Sequence, residues 1–102
     1  MAKCKLKIYP AAQTDMEQIF KYINEELCNP SAANDLINDF YKSLDNACMF
    51  PESCPLINNE YVKDRTLRKM VVSNYIIFYR VRGDEVQVVR VLYGMSDYKY
   101  LL

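Results

Sequence analysis

Residues 74–94, NYIIFYRVRGDEVQVVRVLYG, constrain the fold more than any other stretch of the chain. Two runs rich in β-branched and aromatic side chains flank Arg82-Gly83-Asp84-Glu85, the pattern of two strands joined by a tight turn. Gly83 supplies the positive φ such a turn needs, and Asp84 can hydrogen-bond its own backbone there. Neither run alternates cleanly between apolar and polar. Tyr75, Ile77, Tyr79 and Val81 share one face of the first strand, while Ile76, Phe78 and Arg80 share the other. Such a hairpin must be covered on one face and at least half covered on the second, with Ile77 and Val89 expected in the core. Whether Arg80 and Arg90 share a face depends on register, because a slip of one residue turns the second strand over.

The cover has to come from the N-terminal half. Segment 3–9, KCKLKIY, alternates Cys4, Leu6 and Ile8 with Lys3, Lys5 and Lys7, a half-buried strand whose lysines suit a sheet edge. Pro10 ends it. Thr14 and Glu17 form a capping-box pattern, with Asp15 at the positive end of the helix dipole. Met16, Ile19, Phe20, Ile23 and Leu27 then recur three and four apart, an apolar helical stripe of roughly three turns. Asn29-Pro30 stops that helix and starts a second, with Asn29 as cap and Pro30 in the first position. Ala33, Leu36, Ile37, Phe40, Leu44 and Ala47 give the second helix its inward face, as far as about Met49.

Pro51 and Pro55 break regular structure, and the polar run 58–64 reads as a connector. Residues 67–73 resume as a strand leading into the hairpin. The tail after Leu92 is short, and Tyr98, Leu101 and Leu102 are placed to pack back on the body. The expected fold is α+β: an antiparallel helical hairpin packed on one face of a small, about four-stranded, mostly antiparallel sheet, in a single domain over residues 1–102.

Composition narrows the function. An apolar content of 51% with 25% charged residues belongs to a folded chain. No run approaches the ~18 apolar residues of a membrane span, and the N-terminus has no signal-peptide pattern, so a cytoplasmic protein without a membrane partner is expected. Thirteen Lys plus Arg balance thirteen Asp plus Glu, which gives no overall basic excess for nucleic acid. The charges are nevertheless sorted, basic in the predicted sheet and acidic on the helices. Cys4, Cys28, Cys48 and Cys54 form no CxxC pair and no histidine accompanies them, so small buried thiols are expected, with neither a zinc site nor a disulfide nor any cofactor.

Particular residues add to this frame. They are Ala12, Asp15, Ile19, Tyr22 and Ile23; Asn29-Pro30 with Ala32-Ala33; Phe50-Pro51; the run YIIFYRV at 75–81; Arg90-Val91-Leu92 and Gly94; and Asp97-Tyr98 with Leu101-Leu102. In order and spacing, over nearly the whole chain, they resemble the RelE/ParE family of bacterial toxins. The resemblance implies a small toxin encoded beside an antitoxin whose C-terminal segment wraps it. One branch, RelE, cleaves messenger RNA on the ribosome, and the other, ParE, poisons DNA gyrase.

The departures from the ribonuclease branch point between the two. Its members carry an arginine directly after the tyrosine that begins the central strand, where this chain has Ile76. They carry a basic pair after the last strand's glycine, here Met95-Ser96, and some place a histidine before that glycine, here Tyr93. Cleavage by a 2′-hydroxyl needs charge stabilisation and a proton carrier, which would fall here to Lys69, Arg80 and Tyr98. The reading is therefore a ParE-like toxin that binds and poisons DNA gyrase and is neutralised by a cognate antitoxin. The alternatives are a ribosome-dependent messenger-RNA endoribonuclease built on those three residues, and an inactive remnant that only binds its antitoxin. Lys3, Lys5, Lys7, Arg90, Tyr93 and Tyr98 are the expected antitoxin or target surface, because an acidic antitoxin would meet complementary charge there; a homodimer stays open.

Overall fold

The computed structural model describes residues 4–58, 60–95 and 101–102. Its elements in chain order are β1 (Lys5–Ile8), α1 (Pro10–Lys21), a π-helical turn (Tyr22–Glu26), α2 (Pro30–Met49), β2 (Arg68–Val72), β3 (Tyr75–Arg82) and β4 (Glu85–Tyr93). The sheet order is β1-β4-β3-β2, with β1 parallel to β4 and the other neighbours antiparallel. The helical hairpin carries the chain from one edge of the sheet to the other, and this is the α+β arrangement expected from the sequence. Gly83 takes φ 61° in the β3–β4 turn.

Tight packing between the helices and the sheet makes the larger core. Phe40 and Leu44 of α2 are fully buried against Ile77, Tyr79 and Val88, and the Phe40 ring meets Tyr75 edge-on at 6.0 Å. Val89 is not in this layer. The β3–β4 register shifts between Phe78 and Tyr79, so that Tyr79 faces Val88, Phe78 faces Arg90, and Val89 is the extra residue of a bulge. It turns instead toward the opposite face, which is packed too: Ile57, Val62 and Leu67 of the connector roof Ile76, Phe78 and Leu92. The connector is tied down by a bridge between Leu56 and Arg68 and by the Lys69 amide donating to the Pro55 carbonyl at 3.1 Å.

The first helix departs from its expected start. Tyr9 stands at the N-cap and Pro10 opens the helix, since a proline's fixed φ and missing N–H suit the first position. Thr14 therefore lies inside α1 and forms no capping box, and Asp15 is buried in the second turn instead of sitting at the dipole end. At the other end the Leu27 amide bonds back five residues to the Tyr22 carbonyl at 3.1 Å. The wider turn rotates Leu27 off the apolar stripe, leaving it 55% exposed. The second helix begins as expected: Asn29 Oδ1 accepts the Ala32 amide at 3.1 Å.

The cysteines overturn their reading. Cys4 and Cys48, 44 residues apart, are joined in a disulfide, while Cys28 is exposed and Cys54 half-buried. Spacing in the sequence hid the pair, because only the parallel placement of β1 brings the start of that strand beside the end of α2.

Candidate functional site

Arg80 projects from β3 onto the outer face of the sheet, where each of its three guanidinium nitrogens makes a hydrogen bond. Nε donates to Gln87 Oε1 at 2.7 Å, Nη1 to Asp64 Oδ2 at 2.7 Å, and Nη2 to the Tyr9 hydroxyl at 2.8 Å. Tyr9 in turn donates to Gln87, and Gln87 Nε2 to Glu85. The Asp64 hydrogen bond, followed by that of Tyr9, holds the Arg80 pKa above its ordinary value. Burial works to raise the Asp64 pKa, but hydrogen bonds from Thr66 and Arg80 outweigh it and leave that carboxyl below its usual range. The network joins β1, the connector, β3 and β4. It ties Arg80 into the fold from three sides.

Arg90 is committed elsewhere. Its Nε and Nη2 donate to the two carboxylate oxygens of Asp15 at 2.7 and 2.9 Å, and its Nη1 reaches the Leu101 carbonyl at 3.3 Å. The Asp15 hydrogen bond raises the Arg90 pKa. Asp15 Oδ2 also accepts the Val91 amide at 3.0 Å. The two arginines therefore do not meet in one site.

Lys69 lies on β2 opposite Phe78, on the same outer face as Arg80 and half-buried. Position 76, where the ribonuclease branch would place an arginine, is a buried isoleucine under the connector, packed with Phe78 and Leu92. Lys5 and Lys7 are exposed along the β1 edge, and Lys7 Nζ lies 5.3 Å from the centre of the Tyr9 ring. Lys3, Ser96 and Tyr98 fall outside the described residues.

Tyr93 borders a groove of about 500 Å³ lined by Asp15, Gln18, Ile19, Tyr22, Tyr75 and neighbouring β4 residues. Its ring meets Tyr75 edge-on at 5.8 Å. Burial, with Tyr22 and Tyr93 close by, pushes the Tyr75 phenol up. Among the described residues no cluster of His, Cys, Asp or Glu could hold a metal ion. Nor is any described helix long and apolar enough to cross a membrane.

A sequence model of the ParE toxin of the parDE type II toxin–antitoxin system matches residues 6–98. The chain belongs to the ParE toxin family. Among solved structures it is similar to the chromosomal ParDE toxin–antitoxin system from P. aeruginosa, with a TM-score of 0.70 at 17% identity over 91% of this chain and 98% of that one. It is also similar to the RelB–RelE antitoxin–toxin complex from Methanococcus jannaschii, with a TM-score of 0.53 at 18% identity over 94% and 99% of the two chains. At these identities the structural likeness speaks for a shared fold. Comparison with curated sequences gives no significant match.

As a ParE-family chain, the protein has two residue groups that sequence reasoning did not assemble, Asp15 with Arg90 and Tyr9-Asp64-Gln87 with Arg80. A signal for the first was present. Asp15 sits among Ala12, Met16 and Ile19 on the apolar stripe of α1, where a carboxylate needs a partner.

Proposed function

We propose that this toxin acts by binding DNA gyrase and poisoning it, not by cutting RNA, and that a cognate antitoxin neutralises it in the cytoplasm. The observation that carries this reading is the outer face of the sheet. Where an arginine would have to stabilise a transferring phosphate, Ile76 is buried beneath the connector, and Arg80, four residues further along β3, is held by Asp64, Tyr9 and Gln87. Electrostatic catalysis needs donors aimed at the developing charge, and Arg80 already points one donor from each of its three nitrogens at the protein's own acceptors. Lys69 alone is a weak basis for cleavage.

The antitoxin reading rests on the β1 edge. Lys5 and Lys7 line an exposed outer strand, a surface suited to an acidic extended segment that adds along the edge. The groove beside Tyr93 offers apolar contact to the same partner or to the target.

A reconstituted translating-ribosome assay tests the mechanism. The message should stay uncut by purified toxin. Codon-periodic cuts that vanish in Lys69→Ala or Arg80→Ala would replace this reading with the ribonuclease one.

A further inference from the structure

The disulfide sits where the fold is weakly held. Cys4 immediately precedes β1, Cys48 lies in the last turn of α2, and their Cα atoms are 5.4 Å apart. β1 is an edge strand of four residues, the first three exposed. Its far end is anchored twice, by Ile8 against the helix-side core and by Tyr9 in the Arg80 network. Its near end has the Lys5 amide donating to the Asp84 carbonyl at 2.9 Å, and the cross-link. The bond is open to attack, since both cysteines are half-buried and line a hollow of about 250 Å³ with Pro51, Val81, Gly83 and Asp84.

We propose that the Cys4–Cys48 bond is a redox clasp that sets whether the start of β1 is pinned covalently to the end of α2 or held there without that link. This goes beyond the toxin reading and does not depend on it. In opening, a thiolate of a dithiol reductant attacks one sulfur, forms a mixed disulfide and is released as the reductant's second thiol closes its own ring. The protein S–S bond breaks, two electrons and two protons pass to the protein, and Cys4 and Cys48 end as thiols while the reductant ends as a disulfide. Closing runs in reverse with a disulfide oxidant of the glutathione class. The closed bond also limits the unfolded chain, so reduction weakens the whole fold as well as the edge. The order in which sites open separates the two effects.

The test uses the full chain carrying Cys28→Ser and Cys54→Ser, which leaves this pair as its cysteines, equilibrated with oxidised glutathione or with dithiothreitol. Intact mass should show the oxidised sample lighter by two hydrogens, with neither thiol alkylated. Under brief native trypsin digestion, cleavage after Lys5 and Lys7 should be ~tenfold or more faster in the reduced sample, and should precede any cleavage after Arg80 or Arg90 in the central strands β3 and β4. Adding Cys4→Ser, or Cys48→Ser should the first fold poorly, should give the fast rate in both buffers. Two alkylatable thiols after oxidised glutathione would overturn the proposal. So would equal rates at Lys5 in the two states, or acceleration only in step with cleavage after Arg80.

Discussion

Asp15 and Arg90, 75 residues apart, form a two-pronged ion pair along the part of β4 that β1 does not reach. The β1 ladder ends where Ile8 meets Val88, while β4 continues to Tyr93. Beyond that point Asp15 stands in for a strand, accepting from the Val91 amide and from two nitrogens of Arg90. The same carboxylate fastens α1 to the sheet. Edge capping and helix docking therefore rest on one side chain, which is itself buried.

Replacing Asp15 with alanine should cost ~3–5 kcal/mol, because it leaves a partly buried guanidinium and an amide without their acceptor. Asp15→Asn keeps an acceptor and should lose less. Urea unfolding monitored by far-UV circular dichroism measures both. A change below ~1 kcal/mol for Asp15→Ala would mean that water fully replaces the carboxylate.

Phe40→Ala should cost ~3–5 kcal/mol, the transfer loss plus the cavity left opposite Tyr75 and Ile77. The same unfolding experiment reads it. An unchanged midpoint would mean that α2 does not depend on this ring for its docking.

Much of the architecture was legible in the sequence, and the reasons can be named. The Asn29-Pro30 restart and the turn at Gly83 are local stereochemistry, so they read directly from the chain. The β bulge at Val89 and the π turn that expels Leu27 are one-residue irregularities, and a periodic pattern cannot register a single insertion. Connector residues Ile57, Val62 and Leu67 lie in an irregular, proline-broken segment, so their role as a second core layer left no periodic trace. Arg80 and Arg90 were visible as charges among strands. Their partners Asp64 and Asp15 come from elements distant in sequence, and only the assembled fold puts them in reach.

Acid should weaken the Arg80–Asp64 link in a predictable sense. The folded Asp64 pKa lies below its ordinary 3.8, so the unfolded chain takes up the proton first as pH falls. The link's contribution is complete above 3.8 and is lost as pH drops through the lower folded value. Asp64→Asn should therefore be less stable than the parent at neutral pH, with the gap narrowing below pH 3.8. The pair keeps side-chain exposures of 22% and 29%, so solvent screening makes the effect modest. A gap that stayed constant from pH 7 down to pH 2 would contradict the ionic account.

Charge reversal at Lys5 and Lys7 should slow association with an acidic antitoxin several-fold at low salt and change dissociation little, as expected for rim charges on an exposed strand. Stopped-flow titration across salt concentrations separates the two rates. An association rate indifferent to both substitutions would place the antitoxin on another surface.

The proposed action on a protein target, by a toxin whose outer sheet face is packed and ion-paired, has one direct test. That test is a DNA supercoiling assay with purified gyrase and purified toxin, with cleaved DNA trapped by detergent and protease. Supercoiling should fall with toxin concentration while linear, protein-linked DNA accumulates, and Arg80→Ala variants that remain folded should retain the effect. Unimpaired supercoiling and no trapped breaks, at toxin concentrations that arrest growth when the chain is expressed, would contradict the account.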